Sequence, residues 1–205
     1  MNKHLSADFY LRTDPVQIAR ELLGKLLVTH LNGERTSGRI VETEAYRAPD
    51  DRASHAFGNR RTVRTEVMFL EGGHAYIYLC YGIHHLFNVV TGPKNWAHAV
   101  LIRGIEPVDG LDCMLERRGF LEKKPNLTAG PGAISQALGL DKSMTGTSLL
   151  SPKTGVWIEE FSPILPEKAV IASPRIGVGY AKECAEWPWR FSEKGNVFVS
   201  KPRPF

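Results

Sequence analysis

The sequence predicts an α+β fold, a single compact domain over residues 1–205 with a mostly antiparallel mixed sheet surrounded by short helices. Three observations predict it. Apolar, β-prone segments outnumber helical ones. Several of them are joined by tight turns, at Asn32-Gly33 and at Gly82. The chain has 205 residues, 42% hydrophobic and 23% charged, and shows no internal repeat or linker-like tract, which suits one unit with a substantial core.

The elements follow in order. Asp14 as N-cap, Pro15 in the first turn and Gly24 as the stop mark a short amphipathic helix. Residues 25–31 and 37–46 form a hairpin around Asn32-Gly33. Residues 47–66 are polar and basic and read as a loop with at most a short helix. The segment from His74 to Tyr81, a turn at Gly82, and His84 to Thr91 form a second hairpin. Ala99 to Ile105 is a further strand, Val108 to Arg118 a helix with a basic end, and Gly132 to Leu138 another short helix. The last third alternates turns with strands at 156–159, 169–172 and 197–200. Arg175-Ile-Gly-Val-Gly179 is glycine-rich but lacks the spacing and following helix of a dinucleotide site.

Composition narrows the function. Net charge is +4 with a pI of about 9.0, compatible with a polyanionic partner and with many unrelated enzymes. Cys80, Cys113 and Cys184 are widely spaced and odd in number, so neither a disulfide framework nor a zinc site is expected. The N-terminal stretch has no apolar core and no apolar run approaches the roughly 20 residues of a membrane span. The expectation is a cytoplasmic protein with no membrane partner, associated with the nucleoid if bacterial.

Two carboxylates stand out on one strand, in Arg39-Ile-Val-Glu-Thr-Glu-Ala-Tyr46. Residues two apart on a strand share a face, roughly 6.5–7 Å apart. Glu42 and Glu44 should therefore face the same way as Ile40 and Tyr46, opposite Val41, Thr43 and Ala45. Such a pair suits an inverting glycosidase; one carboxylate alone could activate water against any glycosidic carbon; or both could simply pair with arginines. Arg103, inside the apolar strand 99–105, needs an anionic partner, and Glu42 or Glu44 is the economical choice. Tyr76 and Tyr78 share a strand face, and Tyr81 sits at a hairpin tip, where an aromatic is harder to bury. Arg60, Arg61 and Arg64 on the loop could meet phosphates. No HExxH, GxSxG or Cys/His arrangement points to a metal or a covalent nucleophile.

Taken in order, GRIVETEAY (38–46), His55, RRTVRTEVMF (60–69), YIYLCYGIHHLFNVV (76–90), AVLIRGIEP (99–107), GPGAISQALG (130–139) and RIGVGYA (175–181) resemble the alkyladenine (3-methyladenine) DNA glycosylase family. The resemblance spans nearly the whole chain. It implies a curved antiparallel sheet and a monofunctional repair enzyme, a monomer acting on double-stranded DNA. Such an enzyme extrudes alkylated or deaminated purines of the 3-methyladenine, 7-methylguanine, hypoxanthine and ethenoadenine class. It hydrolyses the N-glycosidic bond with water as co-substrate, without metal or cofactor, and leaves an abasic site.

Residue by residue, the resemblance makes Glu44 the water-activating base and Arg103 its partner. Tyr46, His55, Tyr78 and Asn88 become the walls of the base pocket, Tyr81 the wedge that fills the vacated stack, and Arg60, Thr62, Arg64 and Ile83 the DNA-contacting surface. Ala133 stands where relatives usually carry lysine, which puts a phosphate contact in question. No lysine motif for a Schiff base is found, so strand-cleaving lyase chemistry is not expected. Two other readings stay open beside this one: a carbohydrate hydrolase using Glu42 and Glu44 as acid and base, and a damage-binding DNA module that does no chemistry.

Overall fold

Period-two patterning becomes eight strands in the computed structural model, which describes residues 3–205. Two short helices come first, α1 (Ala7–Tyr10) and α2 (Pro15–Glu21). They are followed by β1 (Leu26–Leu31), β2 (Glu34–Arg47), β3 (Ala75–Cys80), β4 (His84–Thr91) and β5 (His98–Asp109). Helices α3 (Leu111–Arg118) and α4 (Pro131–Leu138) precede β6 (Val156–Glu159), β7 (Val170–Ser173) and β8 (Arg190–Glu193). The strand order is β3-β4-β5-β2-β1-β6, with β8 pairing β2 and β7, and each of these pairings is antiparallel. The sheet curls into a half-barrel.

Local chemistry explains the boundaries. Asp14 caps α2 by accepting the amides of Val16 and Gln17, and Pro15 occupies the first turn. Asn32 and Gly33 both take positive φ, 55° and 83°, the left-handed pair that a two-residue hairpin needs. Tyr81 and Gly82 repeat this at 51° and 74°, which puts a bulky residue where Asn or Gly is usual. The loop 47–66 holds only a one-turn 3₁₀ segment at Phe57–Asn59 and meets another at Glu66–Phe69.

Alternation sorts the side chains onto two faces. Ala45, Ala75, Ile77, Phe87, Val89, Val100 and Ile102 point into the main core, where Ile18, Leu22, Ile134 and Leu138 of α2 and α4 and their flanks meet them. Tyr46, Tyr76, Tyr78, Leu86, Asn88, Leu101 and Arg103 point the other way and line a cavity.

Three expectations are corrected. Residues 197–200 are not a strand; the last strand is β8, 190–193. Its residues read as weakly β-prone, and tertiary pairing with β2 and β7 decides the matter. Val108 and Asp109 extend β5, so the helix begins at Leu111. Ile40 does not share a face with Glu42 and Glu44. It packs in the main core with Ala45, because the pairing steps from Ile40↔Ile105 to Glu42↔Gly104, leaving Val41 as an extra residue. The next step, Thr43↔Ile102, leaves Arg103 extra on β5. Opposed bulges thus flank the Glu42–Gly104 pair and re-aim what lies beside it.

Gly104 sits in the tightest part of this arrangement. A Cβ there would lie 2.7 Å from the Phe198 carbonyl and 3.1 Å from Glu42 Cβ. Gly104→Ala should lower stability by about 1–3 kcal/mol through overpacking, read as a lower urea midpoint. An unshifted midpoint would show that the Phe198 segment moves aside freely.

Candidate active site

The cavity has a volume of about 540 Å³. Its walls are the cavity faces of β2–β5, closed by the 53–55 loop, the 129–133 turn and the glycine-rich segment at 176–178. Aromatic side chains dominate one side. Tyr76 and Tyr78 lie with ring centroids 5.5 Å apart, and His55 meets Tyr78 edge-on at 4.6 Å.

His55 has a defined tautomer. An Arg64 guanidinium nitrogen lies 3.1 Å from Nε2, and arginine can only donate, so Nε2 accepts. Nδ1 then carries the proton and donates to the Tyr76 hydroxyl at 2.8 Å. Burial, reinforced by the Arg64 charge, lowers the His55 pKa to about 4. Arg64 also covers the Tyr78 ring at 4.8 Å, so in the free protein an exposed cation stacks on the cavity's aromatic wall.

Asn88 is buried, with its amide nitrogen donating to the carbonyls of Tyr76 and Leu86. Both amide hydrogens are thereby used, and its acceptor side is what a ligand would meet.

Glu44 is fully buried behind the Tyr46–Arg103 wall. Tyr46 donates its hydroxyl to Oε2 at 2.7 Å, and the Ile176 amide donates to Oε1 at 2.8 Å. Arg103 stands 3.4 Å from both carboxylate oxygens, through Nη1 and Nε. Burial and the Glu44 charge push the Tyr46 hydroxyl well above the usual tyrosine range, which keeps it a donor. Burial alone would lower the Arg103 pKa, but Glu44 and Glu42 more than reverse that, so it stays cationic.

Glu42 is held differently. Arg190 Nε donates to it at 2.7 Å, the Ser200 amide at 2.7 Å, the Ser200 hydroxyl at 2.9 Å and Arg103 Nε at 3.3 Å. Like Glu44, it is fully buried and does not itself line the cavity. With its oxygens engaged by two arginines and Ser200, Glu42 is not placed to act as the second member of an acid/base pair. The two carboxylates share Arg103 and differ in their other partners: Glu42 takes Arg190 and Ser200, and Glu44 takes the Ile176 amide and the hydroxyl of the cavity-lining Tyr46.

Of the residues singled out in the sequence, Tyr46, His55, Arg64, Tyr78, Tyr81, Asn88 and Arg103 line the cavity. Tyr81, 92% exposed, stands on the β3–β4 turn with Ile83 exposed beside it. Arg60 is exposed outside the cavity lining, and Thr62 caps a turn with Thr65 through mutual amide–hydroxyl bonds. Ala133 lines the cavity.

Sequence reasoning missed Arg190 and Ser200, which are separated from Glu42 by 148 and 158 positions and carry no local motif. It also missed what the glycine-rich segment does. Arg175 is locked to Asp51 by two bonds, donates to the Ala45 carbonyl and lies 4.8 Å over the Tyr46 ring. So anchored, it delivers the next amide, that of Ile176, to Glu44. Among the described residues no cluster of three or more His, Cys, Asp or Glu could hold a metal, and no helix is long and apolar enough to cross a membrane.

Comparison with known proteins places this geometry. The methylpurine-DNA glycosylase family matches residues 8–197. A protein of Chlamydia abortus is 50% identical over 188 residues, covering 91% of this chain and 96% of its own. One from Chlamydia felis is 48% identical over 188 residues, 91% of this chain and 94% of that protein. One from Bacillus cereus strain AH187 is 45% identical over 194 residues, 92% and 95% respectively. Each carries the provisional name 3-methyladenine DNA glycosylase. The chain belongs to the methylpurine-DNA glycosylase family. It is therefore a DNA glycosylase, a repair hydrolase whose substrate is DNA.

Two predictions follow from the electrostatics. Removing one partner of a buried ion pair leaves an uncompensated charge, so Glu42→Ala should cost about 3–5 kcal/mol of stability, measured by urea unfolding. A loss below about 1 kcal/mol would show that Arg103 and Arg190 find other partners. For His55 the folded pKa lies below that of the unfolded chain. As pH falls from about 6.5 to about 4 the unfolded state takes up a proton that the native state refuses, and stability drops across that window. Nitrogen NMR should find the His55 ring neutral down to about pH 4; protonation near 6.5 would contradict the assignment.

Proposed function

We propose that this glycosylase accepts 3-methyladenine and related alkylated or deaminated purines, turns the nucleotide out of the duplex into the aromatic cavity, and hydrolyses its N-glycosidic bond with a Glu44-directed water. The observation that carries the reading is the Glu44 constellation: a buried carboxylate set behind Tyr46 and touching Arg103, both cavity-lining. The names of the relatives support the lesion class.

The steps follow from the side chains. Tyr46 on one side and His55 with Tyr78 on the other hold a purine between aromatic surfaces. N3- or N7-alkylated purines carry positive charge, which favours stacking on these electron-rich rings. The same charge makes them good leaving groups without an acid. Glu44 accepts a proton from the water as it attacks C1′, and its charge offsets the oxocarbenium character of the transition state. Arg103, whose Nε lies 3.3 Å from Glu42 and 3.4 Å from Glu44, keeps the carboxylate oriented. Tyr81, raised on its strained turn, enters the vacated stack, and base stacking of this kind contributes on the order of 1–3 kcal/mol. Arg64 leaves the Tyr78 ring for a phosphate, which frees both the ring and His55 for the base. Asn88, fixed by the Tyr76 and Leu86 carbonyls, acts sterically, crowding the exocyclic amine of guanine. Binding is by a monomer, in the cytoplasm.

Glycan hydrolysis by a Glu42/Glu44 pair is disfavoured, because Glu42 is occupied by Arg103, Arg190 and Ser200. A non-catalytic damage binder has no use for the Glu44–Arg103 pair at the cavity wall.

Single-turnover excision tests the reading. Duplexes with a 3-methyladenine analogue, hypoxanthine or ethenoadenine should release the free base, and Glu44→Gln should abolish release while retaining affinity for an abasic-site analogue. No base released under excess enzyme would refute it. Borohydride should trap no enzyme–DNA adduct; a stable adduct would mean covalent lyase chemistry instead.

A further inference from the structure

Arg103 also borders a second recess. A groove of about 690 Å³ shares Arg103, Ala129, Gly130 and Pro131 with the aromatic cavity and continues past them to Lys124, Asn126, Ser200, Lys201 and Arg203. Among the described residues no acidic side chain lines it. Lys124, Lys201 and Arg203 are all exposed. Lys124 lies 2.8 Å from Glu122, but both partners are more than half exposed, at 59% and 69%, so water competes for each of them. Arg203 is oriented by the carbonyls of Val199 and Val197, which accept from its guanidinium. At the junction of the two recesses a Cβ on Gly130 would meet nothing within 4 Å, so the main chain there is bare.

The chemistry of an extruded nucleotide says what such a groove would hold. A base in the cavity remains joined to its sugar, and the sugar to a phosphodiester on either side. On the function proposed above, C1′ sits against Glu44 and Arg103, so the chain of phosphates must leave the cavity near Arg103. The groove begins there, is cationic and carries no opposing carboxylate.

We infer that this groove binds the phosphodiester backbone of the DNA strand that carries the extruded nucleotide, with Lys124, Lys201 and Arg203 meeting phosphates beyond the target. The inference rests on the proposed base-extrusion reading. It adds a contact surface distinct from the 60–64 loop and the Tyr81 turn.

The test is equilibrium binding to a duplex holding an abasic-site analogue, between about 50 and 300 mM salt, comparing the unaltered chain with Lys124→Ala/Lys201→Ala. Arg203 is kept because its guanidinium ties down the tail. Each lost phosphate contact lowers the steepness of log affinity against log salt by about one, so the double variant should be shallower by about 1–2 and bind more weakly at low salt. Lys153→Ala/Lys168→Ala, exposed lysines outside both recesses, serves as the control for non-specific charge and should keep the original steepness. Methylphosphonates beside the abasic site complete the test. Neutralising phosphates on the lesion strand should weaken the unaltered chain, and this loss should shrink in the double variant. Neutralising the opposite strand should weaken both equally.

Equal steepness in the two proteins, or additive losses on the lesion strand, would overturn the groove while leaving base excision intact. If the unaltered chain binds no damaged duplex, both readings fall. If the control flattens as much as the groove variant, the groove has no special role and the inference fails.

Discussion

Arg103 is the residue on which the site turns, and Glu42 is what holds it. A guanidinium in the middle of an apolar strand would be strongly unfavourable alone, and two carboxylates on the neighbouring strand would repel each other. The structure resolves both problems together. Arg103 and Arg190 supply two positive charges, Glu42 and Glu44 two negative ones, and Ser200 adds an amide and a hydroxyl to Glu42. The buried set is electrically balanced, yet the roles within it are unequal. Glu42 takes donors from three elements and closes the tail onto the sheet. Glu44 takes the Tyr46 hydroxyl and the Ile176 amide, which tie it to the cavity wall. Ion pairs this deep are seldom strong contributors to stability, so their value lies in fixing where Arg103 and Glu44 stand.

Backbone irregularity makes that balance possible. In an unbroken antiparallel ladder Arg103 would have a direct partner on β2, and its direction would be set by the pleat alone. The bulge at Val41 and the opposed one at Arg103 leave Glu42 facing Gly104, where a side chain would collide with the Phe198 carbonyl. The glycine clears the space through which the tail approaches and Ser200 reaches Glu42. A second support comes from below Tyr46, where Arg175, neutralised by Asp51, lies against the ring. The Tyr46 ring at the cavity wall is thus backed by a buried cation, and the same residue precedes the Ile176 amide that Glu44 accepts.

Much of this was legible in the sequence, and the boundary between what was and was not is physical. Alternation placed Tyr46, Tyr78, Asn88 and Arg103 on strands, and the structure collects all four on one cavity face. Turn residues marked both hairpins, because Asn-Gly and a glycine after Tyr81 are local signals of φ > 0. What alternation could not reveal was its own interruption. A bulge is a register event between strands about sixty positions apart, so Ile40 was assigned to the wrong face. Arg190 and Ser200 stayed hidden for the same reason: neither sits in a chemical motif, and each matters only through a partner roughly 150 positions away. The separation of Glu42 from Glu44 needed those partners, since two glutamates at i and i+2 are equivalent until the surrounding donors are known.

The aromatic wall shows how the free protein accommodates an open, electron-rich pocket. Tyr78 and a neutral His55, both part-exposed and backed by the buried Tyr76, form a surface suited to a cationic partner. In this state Arg64 supplies one, donating to His55 Nε2 and covering Tyr78. On the proposed base-extrusion reading, an entering base has to compete with that contact, and a cationic base replaces like with like: one delocalised planar cation leaves the ring and another takes its place. A neutral undamaged purine recovers the stacking area but not the charge–quadrupole attraction. Arg64 is exposed to water, so moving it to a phosphate is not strongly opposed. On that reading, part of the proposed preference for alkylated bases arises before any bond is broken, from what the empty pocket already holds.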